Sequence, residues 1–179
     1  MMYNIMTKYY EGGTFMVFSK AKLFKKTDAN KEYICAISYD ERDEYYTFLK
    51  KQKNEGYKQV IVTADIMIDI IRMTCLEKNY AIYKIELAED DDEIQHEINL
   101  LIDKTQQNKA FFGDLIQKIE FLAEQSSIDL ARVYIKGQYA DGFAPNMFIQ
   151  SNGILGVNKE SFEDISRAIC TEVERCLLE

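Results

Sequence analysis

Strand-like apolar runs begin at nearly equal intervals along this chain, at Tyr33, Tyr57 and Tyr80. The intervals are 24 and 23 residues, and patterns with helical periodicity fill the spaces between the runs. Strands that alternate with helices at this spacing are typical of β-α-β-α-β units, in which neighbouring strands run parallel. The spacing therefore predicts an α/β or α+β domain with a mixed sheet.

Elements of other types flank these units. An alternating run from Met16 to Leu23, followed by turn residues 27–30, predicts a β-hairpin that leads into the first unit. Two apolar helical stripes after residue 88 predict a helical hairpin. Beyond residue 127 a period of two returns, which predicts an antiparallel three-strand portion, its last two strands joined at Asn152-Gly153, and then a C-terminal helix.

A chain of 179 residues can bury enough apolar surface to stabilise one domain without disulfides. We predict a single globular domain over residues 16–179, with a β-α-β-α-β part at 16–88, a helical hairpin at 89–127 and a β-meander plus helix at 128–179. Residues 1–15 are predicted to be a non-native or disordered leader, because the codons for residues 11–16 readily contain a ribosome-binding sequence just before Met16. The amino-acid usage is compatible with a low-GC bacterium or its phage.

The cysteine pattern and the hydropathy favour a cytoplasmic protein. Cys35, Cys75, Cys170 and Cys176 do not form the close pairs of a zinc ribbon or a redox motif, so we predict reduced core thiols. No apolar run approaches the roughly 20 residues that cross a bilayer, and the N-terminus lacks the pattern of a secretory signal. The sequence thus predicts no membrane partner.

The charge is unevenly distributed. The net charge is -8; residues 1–60 carry 11 Lys and Arg against 8 Asp and Glu, whereas residues 61–179 carry 11 against 22. An acidic surface disfavours nucleic acid, because affinity for phosphates comes from clustered Lys and Arg. The acidic part serves either solubility or a basic protein partner.

Residues that usually mark catalysis are scarce. The chain has one histidine, His96, and it has neither a glycine-rich phosphate loop nor a G-x-S-x-G nucleophile elbow. The acidic run 89–93 lacks the spacing of a calcium loop, so we predict that it starts a helix, with His96 solvated on that helix. The sequence therefore predicts no cofactor and no metal site, and it favours a protein that is not an enzyme.

An enzymatic alternative rests on Asp40 and Asp65. Each follows an apolar run that is predicted to be a parallel strand, and open α/β sheets place reacting groups at such strand ends. The second run, Val60–Val62, is apolar on both faces and is predicted to be a central strand. Two carboxylates there can hold Mg²⁺ or divide acid and base roles. Both residues are also predicted N-caps of the helices that follow, which requires no chemistry. The first helix is predicted to end at Gly56, after lysines that suit its C-terminal end, and the second is predicted to run to about Lys78 and to be buried, because it is apolar on nearly every side.

Residues 137–146 resemble a recognition loop. They include the only proline of the chain, two glycines, and the aromatic residues Tyr139 and Phe143 on either side of Asp141. Loops on a rigid scaffold often carry recognition, and aromatic side chains are enriched at interfaces. We predict Tyr139, Asp141 and Phe143 as binding residues; the alternative is that the two rings pack beneath the loop as a small core.

The leading hypothesis is a non-catalytic cytosolic protein-interaction module, in the form of an acidic inhibitor or regulator of a basic partner. One alternative is a small metal-assisted enzyme that uses carboxylates at strand C-terminal ends. A second is a homo-oligomeric scaffold that buries an edge strand or the terminal helix against a copy of itself. The basic cluster Lys20, Lys22, Lys25 and Lys26 is expected on a strand edge, where lysines discourage edge-to-edge pairing.

Overall fold

The structure is a computed structural model that describes residues 8–11, 14–29, 31–40, 42, 44–125, 128–137 and 146–178. The strands in these ranges are β1 (Lys8–Glu11), β2 (Thr14–Asp28), β3 (Lys31–Ser38), β4 (Lys58–Gln59), β5 (Ala81–Leu87), β6 (Leu130–Lys136), β7 (Asn146–Gln150) and β8 (Ile154–Asn158). The α-helices are α1 (Tyr45–Asn54), α2 (Ala64–Arg72), α3 (Asp92–Gln107), α4 (Phe112–Gln125) and α5 (Phe162–Leu178). A π-helical turn covers Met73–Glu77, and 3₁₀ turns cover Lys109–Phe111 and Lys159–Ser161.

The chain folds into two compact units. Unit 1 comprises Met1–Val60 and Gly153–Glu179, and unit 2 comprises Ile61–Asn152. Each unit contains both helices and antiparallel strand pairs, so the α+β class is confirmed. The sequence has no Pro/Gly-rich linker at either boundary between the units, and the pattern does not predict this division.

Unit 1 is organised around β2, which is 15 residues long. Its first residues pair with β1, which lies within the segment predicted to be a leader, and Phe18–Lys22 pair with β8. Residues 21–28 pair with β3 across a turn that contains Ala29 at a φ of +44°. The N-terminal hairpin predicted from the sequence is confirmed.

The segment Val60–Val62 does not form the predicted central strand. The two valines are buried, but Ile61 is 60% exposed. The strand in this part of the chain is β4, which has two residues, ends just before Val60 and pairs antiparallel with β2. β5 pairs antiparallel with β6. The strand pairs of the described residues are thus antiparallel where the sequence spacing predicted parallel ones, because spacing along the chain does not fix which strands meet.

Helix α5 covers the outer edge of β3. Its buried side chains are Ile165, Ser166, Ile169 and Val173. Glu174 Oε2 accepts a hydrogen bond from the backbone N–H of Ile34 at 3.2 Å, and the backbone of Ala36 hydrogen-bonds to the Cys170 thiol. Burial raises the pKa of Cys170 to about 12, so the thiol stays protonated. These contacts occupy strand-edge groups that would otherwise be able to pair with another chain.

We expect Glu174→Ala to lower the free energy of unfolding by about 1 kcal/mol, because it leaves the Ile34 N–H without its acceptor. Glu174→Gln is the matched control, since its amide oxygen keeps the acceptor. Urea unfolding of the two variants beside the unsubstituted protein measures the difference. Equal losses in both variants would show that the charge, and not the acceptor, stabilises this edge.

Unit 2 is built on β5, β6 and β7, with β6 between the other two. Helix α3 packs on β5, where Gln95 Nε2 donates to the Ile85 carbonyl at 2.8 Å and Gln106 Nε2 donates to the Ile82 carbonyl at 2.9 Å. α3 and α4 pack against each other, which confirms the predicted helical hairpin. Its buried residues are Ile98, Ile102, Leu115, Ile116, Ile119 and Leu122.

Helix α2 is buried, as its apolar composition predicted. It begins after Thr63, whose hydroxyl accepts from the Ile66 N–H at 3.5 Å, so Thr63 is the N-cap in place of Asp65. The π-helical turn continues the helix to Glu77, one residue before the predicted end near Lys78. This turn is wider than an α-helical one. Among the helices of the described ranges, none is long and apolar enough to span a bilayer.

Candidate functional site

Helix α1 has a well-defined end on unit 1. The N–H of Gly56 donates to the Lys53 carbonyl at 3.1 Å, and the N–H of Tyr57 donates to the Gln52 carbonyl at 3.0 Å. This is a Schellman motif, and Gly56 suits it because its φ is +87°. The predicted end at Gly56 is confirmed, and Tyr57 is held directly after the helix.

An aromatic cluster fixes α1 on the β2–β3 hairpin. It consists of Phe24, Tyr39, Tyr45, Phe48 and Tyr57. The Phe24 ring centroid lies 5.9 Å from those of Phe48 and Tyr57 in edge-to-face geometry, and Tyr39 lies 5.1 Å from Phe48. Such pairs each contribute about 0.5–1.5 kcal/mol beyond the area they bury. The cluster holds the helix at a fixed distance from the strands.

An open groove lies between α1, the segment Tyr57–Gln59 and β2; we call it the α1 groove. Its volume is about 550 Å³. Phe24, which is 1% exposed, contributes to its floor, and Leu49 and Tyr57 line it at half-buried positions. Tyr46 also lines the groove and is 75% exposed. Aromatic rings at different depths give this surface both a fixed base and an accessible contact.

The charges along the α1 groove have one sign. The charged residues among its described lining are Lys50, Lys53 and Lys58, and all three are exposed. Close by, Lys26 Nζ lies 4.2 Å from the Tyr57 ring centroid, and the Tyr57 side chain raises the pKa of Lys26 above its ordinary value. The groove therefore combines aromatic surface with a local positive potential in a protein of net charge -8.

A second groove, of about 530 Å³, lies on the opposite side of α1. Its charged residues are Asp40, Glu44 and Lys51, so both signs are present. It offers no single charge for a partner to match, and this distinguishes it from the α1 groove.

Asp40, one of the two predicted carboxylates, lies before α1 but does not cap it. Its Oδ1 accepts from the backbone N–H and from Nε of Arg42, each at 3.0 Å, and the helix begins only at Tyr45 with Glu44 as N-cap. The predicted helix start at Asp40 is wrong, because the carboxylate closes a local turn with Arg42 instead. The Arg42 side chain lowers the pKa of Asp40 to about 2, so this carboxylate is ionised at neutral pH.

Asp65, the second predicted carboxylate, lies exposed in the first turn of α2 in unit 2, where Thr63 takes the N-cap position. Asp40 belongs to unit 1. Negative charge in a first helical turn is favourable by itself, since it complements the helix dipole.

The acidic run 89–93 starts a helix, as predicted. Asp91 is the N-cap of α3, and its Oδ1 accepts from the N–H groups of Glu93 and Ile94 at 3.1 and 3.0 Å. His96 is exposed on the same helix, which agrees with the prediction of a solvated residue. The predicted binding residues Tyr139, Asp141 and Phe143 lie outside the described residues.

Sequence inspection missed the α1 groove. In the sequence, the lysines after residue 49 indicate only charges that suit the C-terminal end of a helix. The spacing of Tyr46, Leu49, Lys50 and Lys53 is i, i+3, i+4, i+7, which places them on one helical face, so a face-by-face comparison would have found them. No local sequence pattern indicates that Phe24 and Lys58 line the groove, because they belong to strands and not to α1.

Comparisons with known proteins identify no relative of this chain. No protein-family profile matches the chain, no curated protein matches it, and no solved structure matches it.

Proposed function

We propose that the protein is a non-catalytic cytosolic interaction module, and that the α1 groove is its contact surface for an acidic segment of a partner protein. The observation that carries this proposal is the lining of the groove, in which Tyr46 and Tyr57 lie beside Lys50, Lys53 and Lys58. Aromatic side chains are enriched at the centres of protein interfaces, and one-signed charge at the rim steers a partner of the opposite sign.

A polypeptide suits this groove better than a nucleic acid does. Three lysines match a short acidic segment, whereas binding of a long polyanion requires a continuous basic surface. The rest of the chain would oppose such a polyanion, because unit 2 carries 16 Asp and Glu against 8 Lys and Arg. Since the lysines are exposed, the attraction is screened by salt, with a Debye length of about 10 Å at 0.1 M.

The test reverses two charges of the groove. We expect Lys50→Glu/Lys53→Glu to weaken capture of a partner from lysate of the encoding organism by about tenfold or more at 0.1 M salt, because like charges then face the acidic segment. Bound proteins are quantified by mass spectrometry. The same partner should be released from the unsubstituted protein as the salt is raised.

Lys51→Glu is the matched control, because Lys51 lies on the same helix but lines the second groove. We expect this variant to retain the partner. The thermal midpoints of the variants should stay close to that of the unsubstituted protein, since all three lysines are exposed. A partner that binds the double variant and Lys51→Glu equally well would refute the role of the α1 groove.

A second candidate function is an acidic inhibitor of a basic partner. It is supported by the charge of unit 2, which accounts for the whole net charge of -8, since unit 1 carries 14 Lys and Arg against 14 Asp and Glu. In that case Asp92→Lys/Asp103→Lys on one exposed face of α3 should release the partner, and the α1 groove variants should not. The two candidates therefore predict opposite outcomes for the same pair of variants.

A further inference from the structure

A small, partly open cavity lies at the surface of unit 2, between the π-helical turn, the start of β5 and the region where α3 leads into α4. Its volume is about 60 Å³. Apolar walls come from the buried residues Tyr80 and Ile82, from the half-buried Phe112, and at the mouth from Leu76, which is 65% exposed. Cys75 also lines the cavity as an uncharged group, because burial raises the pKa of its thiol to about 11.

The wall formed by the π-helical turn is held in place by specific contacts. The Thr74 hydroxyl hydrogen-bonds to the carbonyl groups of Ile70 and Ile71, at 2.8 and 3.1 Å. The Tyr80 N–H donates to the Thr74 carbonyl at 3.0 Å. Between them, Asn79 has a φ of +58°, in the left-handed region. Wide turns of this kind occur frequently at functional sites, and here one shapes a cavity.

The polar groups around the cavity differ in what they offer a ligand. The Thr105 hydroxyl donates to the Leu101 carbonyl, and the Gln106 amide donates to the Ile82 carbonyl, so both are engaged within the protein. Lys109 is the one charged residue among the described lining residues, and it lies exposed at the mouth of the cavity. Its ammonium donates to Asn79 Oδ1, and an ammonium has three protons to donate.

We propose that this cavity binds a short aliphatic carboxylate, with its alkyl chain against Leu76 and Ile82 and its carboxylate at Lys109. An engineered apolar cavity of about 150 Å³ admits benzene, so one of about 60 Å³ fits an alkyl chain of roughly three or four carbons better than a ring. The single positive charge at the wall selects an acid over an alcohol or an amine. This site lies in unit 2 and is independent of the α1 groove, which lies in unit 1.

The test is a titration of the full chain, labelled at isoleucine and leucine methyl groups, with acetate, propionate, butyrate, 1-butanol and butylamine. We expect saturable shifts of the Ile82 and Leu76 methyl signals with butyrate. Affinity should tighten about fourfold for each methylene from acetate to butyrate, the factor that corresponds to about 0.8 kcal/mol. Butanol should bind at least about tenfold more weakly, because it lacks the charge-assisted hydrogen bond, and butylamine should not bind.

Lys109→Met should abolish the preference for butyrate over butanol, and Lys109→Gln provides a second variant in case Lys109→Met folds poorly. Lys104→Met is the control, since Lys104 is exposed on α3 and does not line the cavity. Equal binding of butanol and butyrate, or butyrate binding that survives both Lys109 variants, would overturn the carboxylate assignment. No saturable shift with any of the five compounds would overturn the site itself.

Discussion

Gly153→Ala is expected to lower the free energy of unfolding by about 2–5 kcal/mol. A Cβ at this position would fall inside van der Waals contact of the Val60 carbonyl oxygen and would lie 2.8 Å from Lys22 Nζ. The backbone of Gly153 has a φ of +76°, which costs a residue with a side chain about 1–2 kcal/mol. Overpacking against a fixed carbonyl adds about 1–3 kcal/mol. Denaturant unfolding followed by far-UV circular dichroism measures the loss.

Gly56→Ala separates the two contributions to this loss. Gly56 also has a positive φ, of +87°, but a Cβ there meets no atom within 4 Å among the described residues. We therefore expect Gly56→Ala to cost only the backbone part, about 1–2 kcal/mol. If Gly153→Ala costs no more than Gly56→Ala, the close approach of Val60 and Lys22 to Gly153 does not constrain unit 1.

The second large effect is a pH dependence that comes from Lys22. This side chain is fully buried, its Nζ donates to the Val60 carbonyl at 2.8 Å, and it lies 5.9 Å from the Phe24 ring centroid. Burial lowers the pKa of Lys22 from 10.5 to about 8. Between these values the unfolded chain binds a proton that the folded chain does not, so the free energy of unfolding rises with pH.

We expect this contribution to increase the free energy of unfolding by about 2 kcal/mol between pH 8 and pH 10, out of roughly 3 kcal/mol for the whole shift. Lys22→Met removes the titrating group and keeps much of the apolar stem. Subtracting the pH profile of this variant cancels the tyrosines and thiols that titrate in the same range. Urea unfolding under reducing conditions at both pH values gives the difference. Parallel profiles would mean that Lys22 has an ordinary pKa in the folded protein.

The elements with the strongest local patterns were predicted well from the sequence. β5 and the helical hairpin lie where their periodicity placed them, because alternating and helical stripes report which side of an element is buried. Two predictions failed for physical reasons that local patterns do not contain. Asp40 bonds to Arg42 and not to a helix N-terminus. Lys22, expected on an exposed strand edge, is buried against the Val60 carbonyl.

The candidate site was harder to predict than the fold. The α1 groove takes residues from three separate parts of the chain, namely Phe24, one face of α1 and residues 57–59. Only the helical part has a period that can be read from the sequence. The approach of Phe24 depends on the pairing of β2 with β4, and the antiparallel direction of that pair was not evident from spacing. A site built from several elements emerges only once the strand pairs are known.

The most direct measurement of the central claim is lysine footprinting of the unsubstituted protein with and without its captured partner. Acetylation by a water-soluble reagent, quantified by peptide mass spectrometry, reports the accessibility of each lysine. The α1 groove predicts that Lys50, Lys53 and Lys58 become several-fold less reactive in the complex, while Lys51 and Lys104 react as before. Unchanged reactivity of all three groove lysines in a stable complex would show that the partner binds elsewhere.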